Sequence, residues 1–174
     1  ARPASGHQTG QAGHHRESAD GKPLPREQRG NEGRSQELIP LAAVLVDDEH
    51  RLDFLPTYFG PRLMMRGEAL VYGWMRRLAE GYNGGFWNYY TLTNGGFYMA
   101  PVLGRLRLEV DGNGYGGEMS ADAAGIVATL FVLGQLAAET QGTDECDALI
   151  DRYHWLREYA GTHAEAAQIY RAID

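Results

Sequence analysis

Apolar residues are sparse in the first 38 positions of this 174-residue chain and then recur in regular patterns to its end. Residues 1–38 contain a few Ala and Leu side chains and no aromatic residue. Such a segment buries too little apolar surface to offset the conformational entropy that ordering removes. We therefore predict a disordered tail over residues 1–38 and a single folded domain over residues 39–174.

Helical periodicity appears before and after the centre of the chain. Residues 47–59 begin with acidic side chains, which stabilise the positive end of a helix dipole. Over residues 66–80, apolar side chains recur on one helical face. Capping side chains predict three more helices. Ser120 caps a helix over residues 121–139, and Thr162 with Glu165, in capping-box spacing, begins the last one. Thr143 caps the helix between them, whose inward-facing residues are Cys146, Leu149, Ile150, Tyr153 and Leu156.

The helix predicted at residues 121–139 is apolar nearly all round. Its longest apolar stretch, Ala123 to Ala138, spans sixteen residues. A membrane span needs roughly 18 or more apolar residues, so we predict a buried core helix and no membrane association.

The centre of the chain has the pattern of β-strands. Residues 41–46, 86–93, 97–101 and 105–110 are rich in apolar, aromatic or alternating side chains, and residues 115–119 add a possible further strand. The predicted fold class is α+β: a small antiparallel sheet of about three to four strands, with a central aromatic hairpin, packed against about four to five helices.

The aromatic hairpin is the most unusual feature of the sequence. Asn-Gly-Gly followed by two aromatic residues occurs at 83–87 and again at 94–98, and seven aromatic side chains lie between residues 82 and 98. A two-residue turn at Asn94-Gly95 would pair Leu92 with Phe97. In that register one strand face carries Trp87, Tyr89, Thr91 and Tyr98, and the other carries Phe86, Asn88, Tyr90, Leu92, Phe97 and Met99.

Two interpretations of this hairpin remain open. Both of its faces could be buried between helices. Alternatively, Trp87, Tyr89 and Tyr98 are partly exposed and, with Thr91 and Asn94, form an interaction surface, since aromatic side chains dominate interface hot spots.

Charge narrows the function classes. The formal net charge is −7, and because the tail is slightly basic, residues 39–174 carry −8. This balance argues against a nucleic-acid binder, which usually has a basic face, so we expect no strong direct DNA binding. The density of negative charge on the chain is also far below that of a protein that imitates DNA. The single cysteine, Cys146, excludes an intramolecular disulfide and fits the reducing cytoplasm.

Motifs for catalysis or cofactor binding are weak. Gly112, Gly114 and Gly117 match G-x-G-x-x-G, but a turn-rich loop explains them better than a dinucleotide site. The residues of the Asp111–Asp122 loop approach a calcium-binding pattern, which leaves a ligand- or calcium-binding module as an alternative. The tail histidines His7, His14 and His15 could bind metal loosely. We predict no catalytic residue, no metal site and no cofactor, and hence no enzyme.

Several segments together resemble the KlcA/ArdB antirestriction family, and the KlcA branch most. The resemblance covers about residues 41–174, in order, and excludes the tail. The segments that carry it are Arg51–Gly60, Tyr72–Met75, Tyr82–Leu92, Asn94–Pro101 and Ser120–Ile126.

The resemblance implies a function in defence evasion. It implies a compact α/β protein, encoded on a plasmid or mobile element, that protects incoming DNA by inhibiting host type I restriction endonuclease. The expected partner is the host type I restriction system, reached directly or through another host protein. The resemblance also implies a family without catalytic residues, distinct from the acidic DNA mimics.

Overall fold

One short strand precedes the first two helices, and the other four strands lie between the second and third helices. The computed structural model describes residues 39–174; the predicted tail, with His7, His14 and His15, lies outside that range. In chain order the elements are β1 (Ala43–Leu45), α1 (Arg51–Tyr58, preceded by a short 3₁₀ turn), α2 (Met64–Leu78), β2 (Trp87–Leu92), β3 (Phe97–Pro101), β4 (Arg105–Val110), β5 (Tyr115–Ser120), α3 (Ala121–Glu139), α4 (Asp144–Ala160) and α5 (Ala166–Ile173). The predicted α+β class is confirmed.

The strands form two antiparallel units. The first is a three-stranded sheet in the order β1-β2-β3, and the second is the β4–β5 hairpin. Every predicted strand is present, but β4 and β5 are not hydrogen-bonded to the first sheet. β1 and β3 are therefore its two edge strands.

Helices cover both faces of the three-stranded sheet. On one face, Phe54 of α1 stacks on Tyr89 with ring centroids 4.5 Å apart and meets Phe97 edge to face. On the other face, Tyr98 stacks on Tyr159 of α4 at 5.8 Å. The aromatic hairpin thus lies in the core between layers of helices.

Helix α3 is the buried helix that the sequence predicts. The Ser120 hydroxyl caps it by accepting a hydrogen bond from the Ala123 amide. By length and composition alone α3 could cross a membrane, but most of its residues are buried against the other elements. Its length and apolar composition therefore reflect its central place in the core.

The register of the central hairpin differs from the predicted one by a single residue. The Leu92 amide donates to the Gly96 carbonyl, and Thr91 is paired with Phe97. The loop therefore contains three residues, 93–95, and Gly95 takes the left-handed conformation at φ 98° that such a loop requires. A one-residue slip moves side chains to the opposite face, so Tyr98 shares a face with Tyr90 instead of Tyr89.

Two predictions about the last two helices are wrong. Thr162 does not cap α5: its hydroxyl donates backwards to the Tyr159 carbonyl, and Glu165 has a different partner, described below. Ile150 is 40% exposed, although the helical spacing places it beside the buried Leu149. The apolar stripe of α4 is thus narrower than predicted.

The structure does not support the alternative of a calcium-binding loop. Asp111 lies in the β4–β5 turn, whereas Asp122 lies in the first turn of α3. The six residues of β5 separate them, a distance of roughly 20 Å at about 3.3 Å per residue. Asn113 donates its side-chain amide to the Ala172 carbonyl at the end of α5. The glycines of this segment belong to an antiparallel hairpin, which also removes the dinucleotide interpretation.

Candidate interaction surface

The three large aromatic residues of the predicted interaction face are buried. Trp87 is 3% exposed, Tyr89 7% and Tyr98 1%. The indole N–H of Trp87 donates to the Tyr82 hydroxyl at 2.7 Å, which satisfies its polar atom within the core. The expectation that these rings are partly exposed is wrong, and the alternative of a hairpin buried on both faces is confirmed.

Tyr98 belongs to a polar cluster that joins three elements. Its hydroxyl donates to the Asp122 carboxylate at 2.8 Å, and His163 Nε2 lies 2.8 Å from the other Asp122 oxygen. The Glu165 amide donates to His163 Nδ1, so Nε2 carries the proton that Asp122 accepts. Burial, reinforced by the neighbouring carboxylate, raises the pKa of Tyr98, which is therefore a neutral donor.

The same cluster contains serine, histidine and carboxylate groups without the arrangement of a hydrolase. The Ser120 hydroxyl donates to the Glu165 carboxylate, and the Ser120 amide donates to the same group at 2.9 Å. Both His163 nitrogens already have partners. A nucleophile needs a hydrogen bond to an available base, so these contacts tie α3 to the α4–α5 turn instead.

The remaining predicted site residues lie apart from each other. Asn94 sits in the hairpin loop, where its side chain donates to the Trp155 carbonyl of α4 and accepts from the Gly96 amide. Thr91 is half-buried on β2, beside β1. The structure thus does not bring the five predicted residues onto one surface.

An open groove lies where α1 passes beside β1, and Thr91 contributes to it. This α1–β1 groove has a volume of about 380 Å³. Its walls combine exposed apolar side chains of β1 with the aromatic and polar side of α1. The lining residues are Val44, Leu45, Val46, Asp47, His50, Asp53, Phe54, Thr57, Tyr58 and Thr91.

The apolar wall of the groove faces solvent. Val44 is 54% and Leu45 55% exposed, although both lie in a strand. Contiguous exposed apolar side chains rimmed by polar groups mark binding surfaces in soluble proteins. The sequence predicts this strand from its unbroken apolar run, but that pattern is equally typical of a buried strand.

The polar wall of the groove is acidic. Asp47 accepts from the His50 backbone amide at 3.0 Å and lies 2.6 Å from its ring Nδ1. The hydrogen bond from the His50 side chain lowers the pKa of Asp47, so this carboxyl is ionised at neutral pH. Asp53 is exposed and has no ion-pair partner among residues 39–174. Arg152 approaches the far end, where it donates to the Thr57 carbonyl at 3.4 Å.

Arg51 fixes α1 at the side of the sheet. Its guanidinium lies 4.5 Å from the centre of the Phe86 ring and 4.2 Å from that of Tyr89, and it donates to the Trp87 carbonyl at 3.0 Å. Phe86 is 58% exposed, which the predicted strand faces did not indicate. These cation–π contacts and this hydrogen bond hold α1 against β2 and the residue before it, next to the groove.

Comparisons with known proteins agree on one family. The family model described as "Antirestriction protein" matches residues 80–174. The antirestriction protein KlcA of Escherichia coli is 73% identical over 136 residues, which cover 78% of this chain and 96% of that relative. The uncharacterised protein YafX of Escherichia coli K12 is 43% identical over 145 residues, covering 80% of this chain and 92% of YafX.

A solved structure supports the same relationship at the level of the fold. It matches with a TM-score of 0.73 and 72% sequence identity, covering 78% of this chain and 96% of the solved one. It comes from work on KlcA and ArdB, which describes a novel fold and antirestriction activity against type I DNA restriction systems in vivo but not in vitro.

Proposed function

The chain belongs to the KlcA/ArdB family of antirestriction proteins, and we propose that it protects incoming plasmid or mobile-element DNA from host type I restriction endonuclease by a non-catalytic interaction. The observation that carries this proposal is the 73% identity to KlcA over nearly the whole length of that relative.

The interaction is non-catalytic in this proposal. The cluster of serine, histidine and carboxylates around Asp122 and Glu165 uses its hydrogen bonds to join structural elements. Cys146, which is buried, donates its thiol to the Ala137 carbonyl. A buried thiol in apolar surroundings is a poor nucleophile. A single free cysteine is also consistent with a protein that works in the reducing cytoplasm.

The interaction also does not depend on imitating DNA. A DNA mimic requires closely spaced exposed carboxylates, because duplex DNA carries one charge per ~1.7 Å of its axis. Here two carboxylates are paired with arginine: the exposed Glu139 with Arg66 and the half-buried Glu145 with Arg62. Such pairing places positive charges among the carboxylates, which the phosphate array of duplex DNA does not have.

The partner is the host type I restriction system, contacted directly or through another host protein. The solved KlcA/ArdB structure is associated with activity in vivo but not in vitro. A requirement for a further host component would produce that difference. An exposed apolar groove with acidic residues on one wall is a surface on which a protein partner could dock.

Expression of the full chain in a host with an active type I restriction system tests the proposal. The plating efficiency of unmodified phage should rise relative to a host with empty vector, and should be unchanged in an isogenic host without the restriction system. No rise, with soluble protein confirmed in the same cells, would contradict the proposed function.

A further inference from the structure

β1 is an edge strand whose outer side is open. Its pairing with β2 uses alternate residues: the Val46 amide donates to the Tyr89 carbonyl, and the Thr93 amide donates to the Ala42 carbonyl. In an antiparallel strand the backbone groups of successive residues point to opposite sides. The amides and carbonyls of Ala43 and Leu45 therefore point away from β2, and no group within residues 39–174 bonds to them.

The opposite edge of the same sheet is protected. The Met99 amide, on the outer side of β3, donates to the Thr129 hydroxyl of α3 at 3.3 Å. That hydroxyl in turn donates to the Gly125 carbonyl at 2.8 Å and is completely buried. Native sheets cover or blunt their edges because an open edge pairs with other chains. The fold closes the β3 edge with a helix and leaves the β1 edge free.

The open edge coincides with the α1–β1 groove. Side chains of a strand added to β1 would alternate between the two sides of the sheet, and those on the α1 side would enter this groove. Its apolar lining on the α1 side includes Val44 and Tyr58, and its carboxylates are Asp47, which is hydrogen-bonded to His50, and Asp53. Asp48 and Glu49 add further exposed carboxylates just outside it. The Arg152 guanidinium lies at the far end of the groove, beside Thr57.

We propose that the β1 edge and the α1–β1 groove bind an extended segment of a partner protein, which adds to the sheet as a fourth strand. The segment carries apolar residues at alternate positions and a Lys or Arg that meets Asp53. Backbone hydrogen bonds to Ala43 and Leu45 supply affinity, and the groove supplies specificity, as in other cases of strand addition. This inference rests on the proposed function, because the partner belongs to the pathway that the protein inhibits.

Replacing Leu45 by proline tests the backbone part of this proposal. Leu45→Pro removes an amide that points away from the sheet, and proline is tolerated on an edge strand in that orientation. The variant should therefore keep the β1–β2 pairing and the melting temperature. It should lose at least about tenfold in affinity for a strand-adding segment, because a backbone hydrogen bond is lost and the ring obstructs the edge.

A display library of random linear peptides, selected on the immobilised full chain, supplies the probe. Selection on the wild-type chain should enrich peptides that alternate apolar residues and carry Lys or Arg, and these peptides should fail to bind Leu45→Pro. Asp53→Lys should weaken the same peptides, whereas Asp48→Lys, a matched change outside the groove lining, should leave them bound. No enrichment, or equal binding to Leu45→Pro and Asp53→Lys, would overturn the inference.

Amide hydrogen exchange in the free full chain identifies any competing occupant. The amides of Ala43 and Leu45 should exchange quickly, while those of Val44 and Val46 are protected by pairing with β2. Slow exchange of Ala43 and Leu45 at all protein concentrations would mean that the chain itself covers the edge. Protection that grows with protein concentration would mean that a second copy does. Either outcome would overturn a partner segment as the occupant.

Phage plating separates failure of this inference from failure of the proposed function. If the wild-type chain protects and folded Leu45→Pro or Asp53→Lys does not, the inference is supported. If both variants protect as well as the wild type, the inference is wrong and the proposed function stands. If the wild type itself gives no protection, the proposed function is wrong, and the peptide selection alone decides the inference.

Discussion

Gly125 shows how closely α3 approaches the sheet. A Cβ at this position would lie against the Met99 carbonyl oxygen and 2.6 Å from the Ala100 Cα. Because both obstacles are backbone, neither can rotate away. We expect Gly125→Ala to lower the free energy of unfolding by about 2–3 kcal/mol through overpacking.

The matched control for this change is Gly134, which lies on the exposed side of the same helix with open space where a Cβ would stand. Gly134→Ala should stabilise the protein by about 0.5–1 kcal/mol, because alanine has less backbone entropy to lose in a helix. Urea unfolding of both variants checks the pair. Equal effects in the two variants would contradict the observed packing of α3 on β3.

The stabilising contribution of Glu165 in the polar cluster depends on pH. Burial by itself raises the pKa of this carboxyl, but hydrogen bonds from the Ser120 hydroxyl and amide, with the charge of Arg105, hold it below its ordinary value of 4.5. A carboxyl whose pKa is lower in the folded state stabilises the fold above the unfolded-state pKa. That contribution disappears as the pH falls through the folded-state pKa.

Glu165→Gln should therefore lower the free energy of unfolding by about 1–2 kcal/mol at neutral pH, since it weakens hydrogen bonds to a charged group. The difference from the wild type should shrink once the pH falls below 4.5 and approaches the folded-state pKa. Urea unfolding over a pH series measures this, with the exposed Glu118→Gln as control. A difference that stays constant into acid would show that the Glu165 charge does not stabilise the cluster.

At the scale of the elements, local patterns were sufficient to locate most helices and strands. Residues 105–110 alternate between arginine or glutamate and apolar side chains, and β4 occupies those residues with alternating exposure. Ser120 and Thr143 cap the helices predicted behind them. Thr162 has the same local signal, but Glu165 hydrogen-bonds to Ser120 from a distant part of the chain. A capping pattern cannot reveal such a competing partner.

The hairpin register depended on a choice that local sequence leaves open. Thr93-Asn94-Gly95-Gly96 can form a two-residue or a three-residue loop, and contacts with α4 favour the longer one. The Asn94 side chain bonds to the Trp155 carbonyl, and Gly95 and Gly96 leave room for the Trp155 side chain. The sequence gives no direct sign of this contact, which joins residues 61 positions apart.

Asn94 and Asn83, the equivalent residues of the two Asn-Gly-Gly repeats, therefore differ in their contribution to stability. Asn94→Ala removes hydrogen bonds to Trp155 and Gly96 and should cost about 1–2 kcal/mol. Asn83 is exposed and makes no side-chain hydrogen bond within residues 39–174, so Asn83→Ala should cost less than about 0.5 kcal/mol. Thermal melts of the two variants compare them, and equal losses would contradict the role of Asn94.

At the scale of the whole molecule, the aromatic residues that suggested an interaction surface form the core instead. Exposure depends on which strands lie at the edge of the sheet and where the helices pack. β1 pairs with a strand more than forty residues later in the chain, so its exposed edge could not be located from a local pattern. Composition did supply one lasting constraint: a moderate net charge of −7, which disfavours both a basic DNA-binding face and an imitation of DNA.

We propose that protection comes from a folded interaction surface and not from an array of surface carboxylates that imitates DNA. Asp144, Asp147 and Asp151 are exposed carboxylates of α4, and none of them has an ion-pair partner within residues 39–174. Changing all three to Asn removes three negative charges from the formal net charge of −7, and none of the three residues lies in the core or lines the α1–β1 groove.

The plating efficiency of unmodified phage on a type I restricting host that expresses this triple variant tests the claim most directly. At equal amounts of soluble protein, we expect the same protection as with the wild-type chain. Loss of protection in a variant whose thermal melt is unchanged would contradict a folded interaction surface as the source of protection and would favour imitation of DNA.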